Sequence, residues 1–264
     1  MRRSFVRQSY GPVLCLLVAS LCAGCGDGII DDPILRLSSE EAFAEGKVLL
    51  EAKKYELARE HFSHAFQTAP NSEVGREALL LQADSYFLAG GETNFIRAEA
   101  KYRDFNNRYP TSDRGAYVQY RIARSLEDRR RKPDRDQSET IKAIGAYEEL
   151  LALYATSEYA AEAETGISRL QVSLAEHEYL VARYQRRRGL LPAAANRLAS
   201  LVEDYPEYSE LDKALCALAL AYHGMRRNDS ADETIARLRQ EYPDSEHCQK
   251  MPKPLKPLSK KDRR

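Results

Sequence analysis

The chain repeats itself, and the repeat leaves few folds open. An alanine, a bulky residue four positions on and a proline twelve positions after the alanine recur along its 264 residues. Ala58, Phe62 and Pro70 form one copy, and Ala98, Tyr102 and Pro110 the next. Ala194, Leu198 and Pro206 form another, as do Ala231, Ile235 and Pro243. Between them Ala143 and Tyr147 keep the spacing, with Ala155 at the proline position. Tyr109, Tyr154, Tyr205 and Tyr242 stand just before the turn position, and Ser72, Ser112, Ser157 and Ser245 stand two beyond it.

Residues four apart on a helix share one face. A small alanine there lets a partner helix approach, and the bulky residue fills the next layer. Proline disfavours helical geometry in the residue before it, so the helix stops. A serine then serves as the cap of the next helix by accepting a backbone N–H bond. Each copy therefore reads as the second helix of a hairpin, a turn, and the start of the next hairpin. Gly46, Ala182 and Ala219, each twelve before a repeat alanine, mark first helices.

This pattern resembles the tetratricopeptide repeat. The resemblance implies an all-α fold: a tetratricopeptide-like superhelix of five helical hairpins, about ten helices, spanning residues 38–247. The turns are 37 to 51 residues apart, longer than the ~34 of the usual repeat. Two segments take up the excess. One is the charged string 128–137 (DRRRKPDRDQ), expected as a loop within the third hairpin. The other is 157–188, expected as one long first helix in the fourth.

Residues 1–24 do not read as fold. Arg2, Arg3 and Arg7 precede the uncharged apolar run 13–21, and then comes the string LCAGC ending at Cys25. The run has the length of a signal-peptide core and is too short to span ~30 Å of hydrocarbon. The string resembles the lipobox of bacterial lipoproteins, which implies cleavage before Cys25 and a covalent lipid on its thiol. Cys22 stands where that pattern usually has Leu, which leaves Cys22 itself, or an ordinary secretory cut, as alternatives. The start also resembles a twin-arginine signal. Gly26 directly after the cysteine permits sorting to the outer membrane, by analogy with enteric bacteria. Residues 25–37 read as a tether. Residues 248–264, with prolines at 252, 254 and 257 and seven Lys or Arg against one acid, read as a basic, proline-rich tail that cannot bury a core and is expected to be disordered. That tail is either solvated or in contact with anionic lipid or an acidic partner.

Chemistry-bearing motifs are missing from the sequence. Lys plus Arg equals Asp plus Glu at 40 each, which argues against a nucleic-acid binder. There is no phosphate loop, dinucleotide fingerprint or nucleophile elbow. His61 and His64 share a helix face but have no metal-ligand set beside them in the sequence. The expectation is no enzyme, no metal and no cofactor beyond the lipid on Cys25. A cell-wall hydrolase would need a catalytic domain for which no segment remains. Cys216 and Cys248 permit a bridge across the last hairpin; a buried Cys216 and a free Cys248 are the alternative. Arg186, Arg187 and Arg188 end the long helix, where they either complement its dipole or meet a partner.

From about Tyr117 to Pro206 the chain resembles the BamD family, also called YfiO. The resemblance rests on Asp134-Arg135-Asp136, on LYATSEYA around Tyr154, and on LAEHEYLVARYQRRRGLLPAAANRLASLVEDYP. Within the last string Glu178, Tyr184, Arg188, Gly189, Asn196 and Arg197 fit the family pattern. Ala155 departs from it, which implies an altered turn. The resemblance implies a lipoprotein of the barrel-assembly machine on the periplasmic face of the outer membrane. Its implied partners are the POTRA domains of BamA, other assembly-complex lipoproteins and unfolded barrel substrates. Tyr184, Arg188 and Arg197 are the candidate partner contacts. Another envelope scaffold, for division, pili or secretion, is the alternative.

Overall fold

The computed structural model describes residues 32–249, with side chains through 247. The expected signal, the lipidation at Cys25 and the basic tail from 250 onward lie outside the described residues. So does the Cys248 side chain, and with it the bridge to Cys216. Residues up to Leu37 and residues from Ser38 form two separate compact units. Within the first, a single 3₁₀ turn, Pro33–Arg36, is capped by Asp32, whose carboxylate accepts the Ile34 N–H at 3.0 Å.

The second unit contains ten long helices in five hairpins and, among the described residues, no strand. The hairpins are α1 Ser39–Glu51 with α2 Tyr55–Thr68, α3 Glu73–Ala89 with α4 Glu92–Arg108, and α5 Gly115–Glu127 with α6 Ser138–Leu153. Then come α7 Ala160–Arg187 with α8 Leu191–Asp204, and α9 Leu211–Gly224 with α10 Asn228–Glu241. A one-turn helix, Glu246–Gln249, follows. Each long helix packs on the one before it and the one after it in the chain. First helices also touch the next first helix at α1–α3 and α7–α9. That is the nearest-neighbour packing of a tetratricopeptide-like stack.

The repeat residues sit where the spacing puts them. Ala58, Ala98, Ala143, Ala194 and Ala231 are buried, and so are Phe62, Tyr102, Tyr147, Leu198 and Ile235. Smallness at Gly46 is required, because a Cβ there would lie 2.7 Å from the Phe62 ring. Gly166 is equally confined, with the Tyr147 ring 2.8 Å from where a Cβ would be.

The five turns between or after hairpins share one backbone bond. The N–H donors of Ser72, Ser112, Ser157, Tyr208 and Ser245 reach the carbonyls of Ala69, Tyr109, Tyr154, Tyr205 and Tyr242 at 3.0–3.1 Å. The altered turn expected at Ala155 is therefore not what forms. The turn there closes as the others do, because the backbone bond, not the pyrrolidine ring, holds it.

The expected serine caps need a correction as well. Ser72 caps α3, its Oγ accepting from Gly75 N at 2.9 Å. At α5 and α7 the N-cap positions are Arg114 and Tyr159, neither with a side-chain cap bond. The chain makes a second backbone turn after Ser112 and Ser157, so the helix starts beyond the serine's reach.

The hairpin tips follow three designs. Hairpins one, four and five close with a Schellman pair: Lys54 N to Leu49 O, Leu190 N to Gln185 O and Arg227 N to Tyr222 O, each with its inner companion bond. The left-handed residue is Gly189 in hairpin four, but Lys53 and Arg226 in the other two, each at φ 60°. Hairpin two turns on Gly90 and Gly91. Hairpin three has the ten-residue loop that its sequence announced.

The long helix has a packing reason. Two apolar cores form in this unit. Ala163, Ile167 and Leu170 of α7 belong to the core of hairpins two and three. Ala175, Tyr179 and Ala182 belong to the core of hairpins four and five. Helix α7 is one spine shared by both.

Candidate partner-docking site

Hairpins two and three bury several of their charges in internal pairs. Asp84 on α3 is almost buried, and its Oδ1 accepts from Tyr102 at 2.5 Å and Tyr117 at 2.7 Å. Arg121 lies 3.6 Å from the same oxygen and 3.9 Å above the Phe87 ring. Burial, and then the Asp84 charge, push the Tyr102 phenol far above its ordinary value. Burial opposes the charge on Arg121, but Tyr102, Tyr117 and Asp84 outweigh it and raise that group.

At the end of α5, Glu127 is only 3% exposed at its side chain. It accepts from the Tyr147 phenol at 2.6 Å, and from Arg169 Nε at 2.8 Å and Nη2 at 2.6 Å. Arg129 is shared between Glu99 at 2.7 Å and Glu139 at 2.5 Å. The loop after it reaches the spine, where His177 Nδ1 contacts the Pro133 carbonyl at 2.6 Å. None of Asp84, Arg121, Glu127 or Arg129 stands out in the sequence as a site. The available signal was an acid inside an apolar helix face, in LLLQADSYFLA and at the end of α5.

Hairpin four is built differently. Tyr184 and Arg188 stand one turn apart at the end of α7, with Tyr184 62% exposed and Arg188 exposed. Arg197 is on α8 and pairs with Glu178 of α7 through Nη1. Glu178 lies about 9 Å of helix rise before Tyr184. The three candidates thus share one hairpin, with Arg197 set back from the tip. Buried side-chain atoms without a protein hydrogen-bond partner gather here: Nε of Arg183, Arg186 and Arg197, and Oε1 of Gln185. Buried polar atoms are normally paired, and Arg197 meets that need in part through its Nη1 contact with Glu178.

His61 shows what packing adds to sequence. The helix pairing brings Glu45 of α1 to 3.2 Å from its Nε2, while Nδ1 meets the Leu57 carbonyl at 3.0 Å. The ring is thereby fixed in a helix interface. Among the described residues no group of three or more His, Cys, Asp or Glu is placed to hold a metal ion. No helix among them is long and apolar enough to cross a membrane.

The model of the YfiO family, described as outer membrane lipoprotein, matches residues 36–238. The chain belongs to this family. The YfiO match begins just before α1 and ends within α10, so it takes in all five hairpins and the Tyr184–Arg197 region. The outer membrane protein assembly factor BamD of Rickettsia prowazekii is 28% identical over 203 residues, 77% of this chain and 80% of its own length. BamD of Neisseria gonorrhoeae is 27% identical over 237 residues, covering 87% and 89%. BamD of Caulobacter vibrioides is 25% identical over 246 residues, covering 92% and 79%.

Proposed function

We propose that this YfiO-family chain is an outer membrane protein assembly factor, a non-enzymatic scaffold of the barrel-assembly machine. It helps the insertase BamA fold and insert β-barrel proteins. A lipid on Cys25 holds it to the periplasmic face of the outer membrane, each buried CH₂ contributing ~0.8 kcal/mol. Tyr184, Arg188 and Arg197 contact the POTRA domains of BamA, and the N-terminal hairpins receive unfolded barrel segments. The observation that carries this reading is the family match along the whole five-hairpin stack. The helical stack supports a binding mechanism, because such stacks present long rigid surfaces.

The test is recovery from native envelopes. The full chain is expected to fractionate with the outer membrane and to co-purify with BamA, and Cys25→Ala to release it from the membrane. Arg197→Ala is expected to weaken the BamA contact at least fivefold with unchanged circular dichroism. Recovery with division, pilus or secretion proteins and without BamA would reject the reading.

A further inference from the structure

A cavity of about 270 Å³ lies between the spine helix α7 and the turn that joins hairpins four and five. Val172 lines it from α7, and Tyr205, Pro206 and Tyr208 line it from the turn, with Asp204 and Glu207 beside them. Tyr208 is held by its phenol, which donates to Glu176 of α7. Tyr205 is half-buried and Pro206 is exposed. Asp204 and Glu207 are exposed too, and neither meets a Lys or Arg among the described residues. Their neighbours are taken: Glu210 pairs with Lys213, Glu241 with Arg237, and Asp212 accepts from the Ser245 hydroxyl. Burial, then Glu178 and Asp204, raise the Tyr205 phenol, so the cavity lies in a negative field.

The described chain ends close to this turn. Burial and then Glu241 raise the Tyr242 phenol, Arg237 opposes them, and Asp212 and Glu207 add to the rise. The turn after hairpin five is therefore within electrostatic reach of Glu207. The one-turn helix Glu246–Gln249 then packs on α9. Residues 250–264 follow, with seven Lys or Arg against the single acid Asp262. In polyproline II geometry they would span about 45 Å. The string PKPLKPL at 252–258 has the three-residue period of that geometry, which closely spaced prolines favour. Along it Lys253 and Lys256 share one edge, Pro254 and Pro257 a second, and Leu255 and Leu258 the third.

We infer that the basic, proline-rich tail docks in this cavity of its own chain. Pro254, Pro257 and the leucines meet Val172, Tyr205 and Pro206, while Lys253 and Lys256 meet Asp204 and Glu207. Proline-rich segments bind aromatic-lined grooves because a polyproline II backbone is already ordered and loses little entropy on binding. Charge complementarity selects the occupant, since the two acids without an internal cation face a segment with a large excess of cations. Attachment to the same chain supplies a millimolar effective concentration, so weak contacts suffice. Exposed charge pairs are screened by salt, so the docked state should weaken as salt rises. This self-docking is separate from the proposed function and does not depend on it.

The experiment is carbodiimide cross-linking of the purified full-length protein in detergent, which joins a lysine to a carboxylate it touches, read by mass spectrometry. The expected result is amide links from Lys253 or Lys256 to Asp204 or Glu207 within one chain, falling about tenfold in molar salt. Pro254→Gly with Pro257→Gly keeps every charge and lies outside the packed hairpins, and its links are expected to fall about fivefold. Unchanged links in that variant would mean that charge alone holds the tail, and the cavity would not be its site. Links spread evenly over exposed acids such as Glu56 and Glu164, or no links at all, would overturn the inference. Links found only between two chains would assign the cavity to a second copy and overturn it as well. The last arm uses anionic phospholipid vesicles. If the parent shows no such links but binds vesicles, and Lys253→Glu with Lys256→Glu does not, the tail belongs to lipid and the inference falls.

Discussion

Hairpins two and three and hairpins four and five use the same repeat to opposite ends. In the first pair, charge is turned inward: Asp84, Glu127 and Arg129 are nearly buried and paired with partners from neighbouring helices. In the second pair, the core is mostly alanine, leucine and tyrosine, and the arginines stand unpaired at the tips. Buried ion pairs fix one geometry and leave no charge for a partner. Exposed, unpaired charge contributes nothing to folding and is available for recognition. The difference separates a part whose charges are locked inside from the part that the proposed function assigns to docking, with α7 running through both.

The largest expected test of this contrast is alkaline pH. Burial, then nearby carboxylates, hold the phenols of Tyr102, Tyr117 and Tyr147 above their ordinary value of about 10. In the unfolded chain they ionise near that value. Their stabilising contribution is complete below it and is lost as pH rises past it. Urea melts followed from pH 9 to 11 should show stability falling by about 3 kcal/mol. Tyr147→Phe should make that fall shallower.

Asp84→Ala should cost about 3 kcal/mol, because it strands Arg121 and two phenols in a nearly dry site. Native-state hydrogen exchange should show α3–α6 opening while α9 and α10 keep their protection. Equal loss in both regions would mean that the two cores are one folding unit. Gly166→Ala, which forces a methyl group against the buried Tyr147 ring on the spine helix, should cost about 2 kcal/mol.

Arg226→Gly should go the other way. It relieves a left-handed arginine and should stabilise by about 1 kcal/mol, read from a thermal melt. A lower melting temperature would mean that Arg226 makes contacts worth more than the backbone strain it carries. Smallest of all, Arg187→Glu should leave stability within about 0.5 kcal/mol, measured by thermal melt, since no partner inside the protein depends on it.

Much of this architecture is legible before any coordinates. The alanine-to-bulky-to-turn spacing locates all five second helices, and the loop at 128–137 and the long helix at 160–187 fall where the excess length was expected. The turn at Ala155 and the serine caps were misread for one reason. Both expectations assigned to side chains what a shared backbone bond does.

Local spacing determined the helices, their order and the residues between their faces, because a repeat with fixed small and bulky positions can pack only on its own neighbours. Tertiary structure alone decided which charges are spent and which are left over. Asp84 meets Tyr117, Glu127 meets Arg169, and Leu191 joins Gly224 across dozens of residues. Such pairings depend on how far each hairpin is rotated against the next, and no run of sequence carries that rotation.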